Sequence, residues 1–354
     1  MASLPLLLTK TTPGQQYLLL QSSSSQSSLP ILRNLLGNLG TSTSKQPSST
    51  LLFNLLYEPL VLLDEVQNAS NIQVFDYLGN VPGYSEEYVD VRETLLQKVE
   101  KVKEGSINVV IDSVDTLCSD IGSDAETYKF LSRLMSIIRA RSNTSRLILH
   151  LTTPCSLLPL LIQTSFSPSL VQFIAHPPVL LTHLATAYLT PPPPHTPEPK
   201  FYSVFLPFSE RAYETDRLVY GPDGEGSGGL GEMVVEVLVR GGNEGTVRRR
   251  GVERSLEGWS TEKGPCDLFS LESLKGLQKS KSVAEAAPDP TQIASFNLNL
   301  TPSQQQSRAQ VPLPYAHEGK PLDKPSGPVE AAIFYDPDSA DDIDDDDPDE
   351  DLDI

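Results

Sequence analysis

Cysteine and histidine are scarce in this 354-residue sequence, which contains three and five of them. The cysteines lie far apart, at Cys118, Cys155 and Cys266. Without a C-x-x-C pair they predict neither a disulfide framework nor a zinc site, and they are typical of a reducing compartment. No histidine pair has H-E-x-x-H spacing, and we interpret His150, in an apolar run, as a core residue. The sequence therefore predicts no metal site.

Long apolar runs are also missing. No stretch approaches the roughly 18 apolar residues of a membrane helix, and the short apolar start, residues 1–8, lacks the basic region of a signal peptide. We expect an intracellular, soluble chain without a membrane partner. There is also no G-x-S-x-G nucleophile elbow and no cysteine in a catalytic signature, so we predict no catalytic residue and no enzymatic activity.

A phosphate-binding loop is the most informative absence. Residues 107–112, with the sequence INVVID, predict a strand buried on both faces that ends at an acid, Asp112. Nucleotide-hydrolysing α/β proteins hold Mg²⁺ with such an acid, but they also need G-x-x-x-x-G-K-[ST], which occurs nowhere in this chain. Asp112, with Asp115, is therefore either a degenerate metal-binding remnant or a structural strand-end acid, and we favour the second reading. We predict no bound cofactor.

Periodic apolar segments alternate between strand and helix over the first 190 residues. Strands are predicted at 17–20, 51–57, 72–78, 107–112 and 147–151, and helices at 29–39, 85–102 and 123–141. This spacing predicts an α/β fold with a twisted, mostly parallel sheet that is covered by helices. The serine-rich loop 22–28 occupies the place of a phosphate loop but has no glycine and no lysine.

The second half of the chain has a different character. After a proline-rich loop at about 190–199, strands are predicted at 201–206, 217–220, 233–239 and 246–254, as an antiparallel meander at the edge of the sheet. We divide the chain into a core of residues 1–260, with a glycine-rich loop at about 221–232, an extended partner-binding segment of residues 261–332, and a disordered tail of residues 333–354. The tail carries twelve acids and no base, so the rest holds only seven of the nineteen net negative charges.

Two local patterns have weak functional readings. Residues 224–229 match G-x-G-x-x-G, but they precede a strand-like run where a dinucleotide site would open a helix, so we interpret them as a hairpin loop. The basic clusters, Arg248, Arg249 and Arg250 with Arg254, and 139–146, are either a solvated or salt-bridged face or an RNA contact. No aromatic residues are interleaved with them for base stacking.

Three pieces in the last third of the chain carry a resemblance. They are residues 264–275, residues 295–301 with 311–315, and the tail from Ile333-Phe334-Tyr335 to Ile354. In this order they resemble the fungal Elongator subunit 5 family. The resemblance implies a RecA-like fold without the phosphate loop, and cytoplasmic and nuclear localisation.

The same resemblance implies particular partners. Members of the family assemble with the paralogous Elongator subunits 4 and 6 into a hexameric ring that supports modification of wobble uridines in tRNA, which we expect to be reached only through the ring. The segment 264–315 would then lie along a neighbour, with apolar anchors at Phe296, Leu298, Leu300, Leu313 and Tyr315. Two alternatives stay open: an NTPase with an unorthodox phosphate site in the 22–28 loop, and a histone-binding or transcription-associated protein that acts through its acidic tail.

Overall fold

The computed structural model describes residues 4–9, 14–40, 48–63, 71–102, 105–142, 144–222, 224, 231–241 and 251–277. Its strands are β1 Tyr17–Ser23, β2 Ser48–Asn54, β3 Ile72–Asp76, β4 Ser106–Ile111, β5 Arg146–Thr153, β6 Leu170–His176, β7 Glu232–Arg240, β8 Val252–Ser260 and β9 Gly264–Cys266. Its helices are α1 Leu4–Thr9, α2 Leu29–Gly40, α3 Pro59–Leu63, α4 Val91–Lys101, α5 Val114–Ile121, α6 Asp124–Arg139, α7 Leu158–Leu161, α8 Pro178–Ala187, α9 Glu198–Ser209 and α10 Ala212–Tyr220.

One sheet organises these elements, with the strand order β3-β2-β4-β5-β1-β6-β7-β8-β9. The pairs from β3 to β6 are parallel, and those from β6 to β9 are antiparallel. Each residue of β4 is buried, as expected for a central strand covered on both faces. The predicted α/β fold, with a mostly parallel sheet that is flanked by helices, is confirmed by this arrangement.

Helices cover both faces of the sheet. Alternate strand residues such as Leu19 and Val109 pack against α4, α5 and α6, while their neighbours Leu18 and Val110 pack against α1 and α2 on the other face. A third cluster joins α8 and α9 to β7 around Phe201, Phe205 and Val234. This division follows from the alternation of side chains along a strand.

Helix ends follow the local sequence. Ser123 caps α6, accepting a hydrogen bond from the backbone N–H of Glu126, at the predicted capping signature. The helix predicted at 85–102 begins only at Val91, because Asp90 is its N-cap. The residues before it form a loop that is held by two hydrogen bonds between the side-chain amide of Asn80 and the backbone of Val89, at 2.8 and 2.9 Å.

Two predicted strands of the second half are wrong. Residues 201–206 lie in α9 and residues 217–220 lie in α10. The aromatic run looked strand-like, but Phe201, Phe205 and Phe208 are buried at i, i+4 and i+7, which is a helical stripe. The antiparallel meander exists, but it is built from β7, β8 and β9, and the strand predicted at 246–254 begins at Val252.

The segment that follows the meander packs onto this chain. Beyond β9, the buried side chains of Leu268, Leu271 and Leu274 join the cluster around α8 and α9. This contrasts with the expectation that the chain lies along a neighbour from residue 264 onward. The predicted tail, residues 333–354, and most of the predicted partner segment lie outside the described residues.

Candidate functional site

The carboxyl ends of the parallel strands form the region where open α/β sheets bind ligands. Here β1 ends in the 22–28 loop, β4 ends at Asp112, and β5 brings His150 between them. An NTPase of this class would place its phosphate loop and its Mg²⁺-binding acid at this edge. The hydrogen bonds of these residues therefore show whether their side chains are free to bind a ligand at this edge.

Asp112 is fully buried and holds the backbone of the β2–α3 loop. Its carboxylate accepts hydrogen bonds from the backbone N–H groups of Leu55, Leu56 and Tyr57, at 2.7, 3.1 and 2.8 Å. Burial raises the pKa of Asp112, and these three amides oppose the rise because they stabilise the carboxylate. Both carboxylate oxygens of Asp112 already accept hydrogen bonds. Asp112 therefore connects the end of β4 to the loop that follows β2.

His150 links β5 to both neighbouring strands. Its Nδ1 lies 2.6 Å from the backbone oxygen of Asp112, and its Nε2 lies 2.9 Å from Oγ of Ser22. Burial lowers the pKa of His150, which favours the neutral ring. A carbonyl can only accept, so Nδ1 carries the proton and Nε2 accepts from the Ser22 hydroxyl.

The chain of hydrogen bonds continues into the loop. Ser22 Oγ donates to His150, so it acts as acceptor for both the backbone N–H and the hydroxyl of Ser28, each at 2.9 Å. The Ser22–His150 distance matches that of a serine nucleophile and its base. However, both side chains are buried, and a carbonyl, not a carboxylate, orients the ring. The pair is thus a structural connection between three strands and the start of α2.

Helix α10 covers the outer side of the 22–28 loop. The hydroxyl of Ser24 donates to both carboxylate oxygens of Asp216, at 2.7 and 2.9 Å, and the hydroxyl of Tyr220 donates to the backbone oxygen of Ser24, at 2.7 Å. A phosphate group at this loop would meet the Asp216 carboxylate and no lysine from the loop. The arrangement is electrostatically unfavourable for nucleotide phosphates.

Among the described residues, no group of three or more His, Cys, Asp or Glu side chains is placed to hold a metal ion. Asp115, considered with Asp112 as a metal-binding remnant, accepts a hydrogen bond from the backbone N–H of Thr152 at 3.1 Å. Within the same described ranges, no helix has the length and apolarity needed to span a membrane.

The arginines at 139–146 serve the fold. Arg141 donates to the backbone oxygens of Val99 and Val102 at the end of α4, both at 2.6 Å. Arg139 donates to the backbone oxygen of Phe166, and Arg146 is buried. Arg248, Arg249 and Arg250, most of the glycine-rich stretch, and the proposed anchors Phe296, Leu298, Leu300, Leu313 and Tyr315 lie outside the described residues.

Comparison with known proteins gives one consistent similarity. No protein-family profile matches the chain. A solved KaiC-like protein from Pyrococcus horikoshii aligns with 72% of this chain and 90% of its own length, at 11% identity and a TM-score of 0.40. A stretch of 70 residues is 40% identical to human Elongator complex protein 5 and 39% identical to the mouse protein. The match spans 19% of this chain and 23% of either relative.

Proposed function

We propose that this chain is a non-catalytic scaffold subunit of an Elongator complex. The observation that carries the proposal is the state of the ligand-binding edge, where Ser22, Ser28, His150 and Asp112 bond to one another and to the backbone. The similarity to Elongator complex protein 5 supplies the name of the complex. At this edge the polar side chains are occupied by hydrogen bonds within the chain, which suits a subunit that acts by assembling with other chains.

The partners follow from the same similarity. We propose that the chain assembles with Elongator subunits 4 and 6 into a hexameric ring, in the cytoplasm and nucleus, and that the ring supports wobble-uridine modification of tRNA. In this proposal tRNA meets the assembled ring, and the acetyl-transfer chemistry belongs to another subunit.

An ordered apolar loop at one edge of the sheet supports an assembly role. Residues 77–90 follow the edge strand β3, and hydrogen bonds between Asn80 and Val89 fix their shape. Tyr84 is 90% exposed there, and the side chains of Val81 and Val89 are also exposed. Aromatic and apolar groups held rigidly in solvent are typical of protein interfaces.

A nucleotide titration separates this proposal from its main rival, an NTPase with an unorthodox phosphate site. The full chain is titrated with Mg-ATP and Mg-GTP by calorimetry at physiological salt. We expect no saturable heat at millimolar nucleotide, because Asp216 faces the loop and no loop lysine is present. Saturable binding that is lost in Ser24→Ala would contradict the scaffold proposal. The tail-based alternative is tested by deletion of residues 333–354, which under that alternative abolishes function and leaves assembly of the complex intact.

A further inference from the structure

A cavity of about 450 Å³ lies beside the 22–28 loop. The residues that line it take no part in the hydrogen bonds described above. Its walls come from the first turns of α2, from the end of β8 and from the turn between β8 and β9. The volume is that of a small-molecule site. Two of its side chains are left with unused hydrogen-bond donors.

Arg33 and Trp259 are those two side chains. Trp259 is 3% exposed, and its indole Nε1 is buried with no acceptor in the described part of the chain. Nε of Arg33 is likewise buried with no acceptor among the described residues. Arg33 also forms no ion pair with any described residue. Buried donors are nearly always satisfied in folded proteins. Two unsatisfied donors on the walls of one cavity indicate that it receives an acceptor.

The remaining polar groups of the cavity are consistent with an anionic acceptor. Asn34 accepts from the side-chain amide of Asn38 through its Oδ1, at 3.0 Å, which leaves its own Nδ2 as a donor. Lys263 and Glu262 also line the cavity. With Arg33 they give one surplus positive charge, which balances a monovalent carboxylate better than a doubly charged phosphate.

The apolar part of the wall limits the rest of the ligand. Leu29, Pro30 and Pro265 line the cavity together with the indole of Trp259. The leucine and the two prolines have no donors to offer, because proline lacks an N–H and the N–H of Leu29 is bonded to Oγ of Ser27 at 3.2 Å. A ligand that satisfies both parts of the wall has a carboxylate and a small apolar body.

We propose that this cavity binds an organic carboxylate, with Arg33 and Trp259 as the principal donors and the leucine and proline side chains against its apolar body. The carboxylate comes either from a free small molecule or from the C-terminal residue of a peptide, which present the same chemistry. This site is independent of the scaffold role, since it uses none of the residues that close the nucleotide edge.

Tryptophan fluorescence tests the proposal directly, because Trp259 is the only tryptophan in the chain. The full-length protein is titrated with hexanoate, with N-acetylleucine, and with N-acetylleucinamide, which has the same body without the charge. We expect a saturable change in Trp259 emission with N-acetylleucine and none with the amide. A response to hexanoate as well supports a small-molecule site, and a response to N-acetylleucine alone supports a peptide terminus.

Two variants locate the binding. Arg33→Gln is expected to raise the half-saturation concentration by about tenfold, the effect of losing one charge-assisted contact. Lys263→Gln, at an exposed position, is expected to raise it by a smaller factor and serves if Arg33→Gln unfolds. Arg133→Gln, an exposed arginine on α6, is the matched control and is expected to leave the titration unchanged. The proposal is overturned if neither carboxylate gives a saturable change, if the amide responds equally, or if both cavity variants behave like the control.

Discussion

Buried polar side chains at the sheet edge are used to hold the chain together. Asp112 bonds to three consecutive backbone amides, and His150 connects the strand that ends at Asp112 to Ser22. Neither residue is available to a ligand, because each polar atom involved already has a partner. The residues that would mark an active site in another α/β protein therefore stabilise this one.

Removing the Asp112 carboxylate should be costly. In Asp112→Ala three amides lose their acceptor, and we expect the free energy of unfolding to fall by about 3 kcal/mol, since each unsatisfied group costs roughly 1–3 kcal/mol and water reaches part of this loop. Asp112→Asn should fall between this variant and the wild type because one oxygen remains. Denaturant unfolding measures the differences. The control is Asp120→Ala, a half-buried acid on α5, and equal stability of the two alanine variants would contradict the structural role.

Protonation of His150 should lower the free energy of unfolding as the pH falls. Burial lowers its pKa below the ordinary 6.5, so between the two values the unfolded chain binds a proton that the folded chain does not. Stability should therefore fall as the pH drops below about 6.5, by at most about 1.4 kcal/mol per pH unit for this group. In His150→Gln this contribution disappears. Unfolding free energies measured from pH 7 to pH 5 should show a steeper slope in the wild type, and parallel slopes would contradict the assignment.

At the scale of elements, much of the parallel sheet was predictable. Strands such as β4 and β5 are buried on both faces, so their apolar runs are unmistakable, and α6 carries its capping signal in the sequence. The aromatic run of α9 misled the prediction because a short apolar segment has no clear period until its neighbours are known. The Ser22–His150 pair was missed because its members are 128 residues apart, and only the strand order brings them together.

The contact of α10 with the 22–28 loop can be tested on its own. We expect Tyr220→Phe combined with Asp216→Ala to accelerate amide hydrogen exchange in residues 23–28, because the loop loses its outer hydrogen bonds. Exchange in the buried strand β4 should not change. Tyr213→Phe, an exposed tyrosine on the same helix, is the control. Unchanged exchange in the loop would mean that α10 does not hold it.

The buried carboxylate of Glu236 on β7, which contacts His176 on β6 and Arg254 on β8, is a second test at this scale. Glu236 accepts from Nε2 of His176 at 3.0 Å, and Nε of Arg254 on β8 lies 3.2 Å from its other carboxylate oxygen. Without Glu236, the Arg254 guanidinium loses its carboxylate partner. We expect Glu236→Ala to lower the free energy of unfolding by about 3 kcal/mol. Glu100→Ala, at an exposed position on α4, should cost less than half of that, and equal losses would show that the contacts of Glu236 are not special.

At the scale of the whole molecule, the proposed assembly role depends on exposed surfaces. Tyr84 and Val89 stand out from an ordered loop beside the edge strand. We expect Tyr84→Ser with Val89→Ser to weaken association with the proposed partners, Elongator subunits 4 and 6, at least tenfold while leaving the unfolding midpoint within a few degrees, because the lost apolar area is exposed in the free chain. Tyr213→Ser is the matched control. Undiminished association in the double variant would place the interface elsewhere.

In the proposed function this chain assembles with Elongator subunits 4 and 6 into a hexameric ring, and the mass of the co-expressed complex shows whether it does. The full chain is co-expressed with Elongator subunits 4 and 6, and the purified sample is analysed by size-exclusion chromatography with light scattering. We predict a single species of hexameric mass that contains all three chains. A stable monomer of 38.7 kDa that does not copurify with the two other subunits would contradict the proposed assembly.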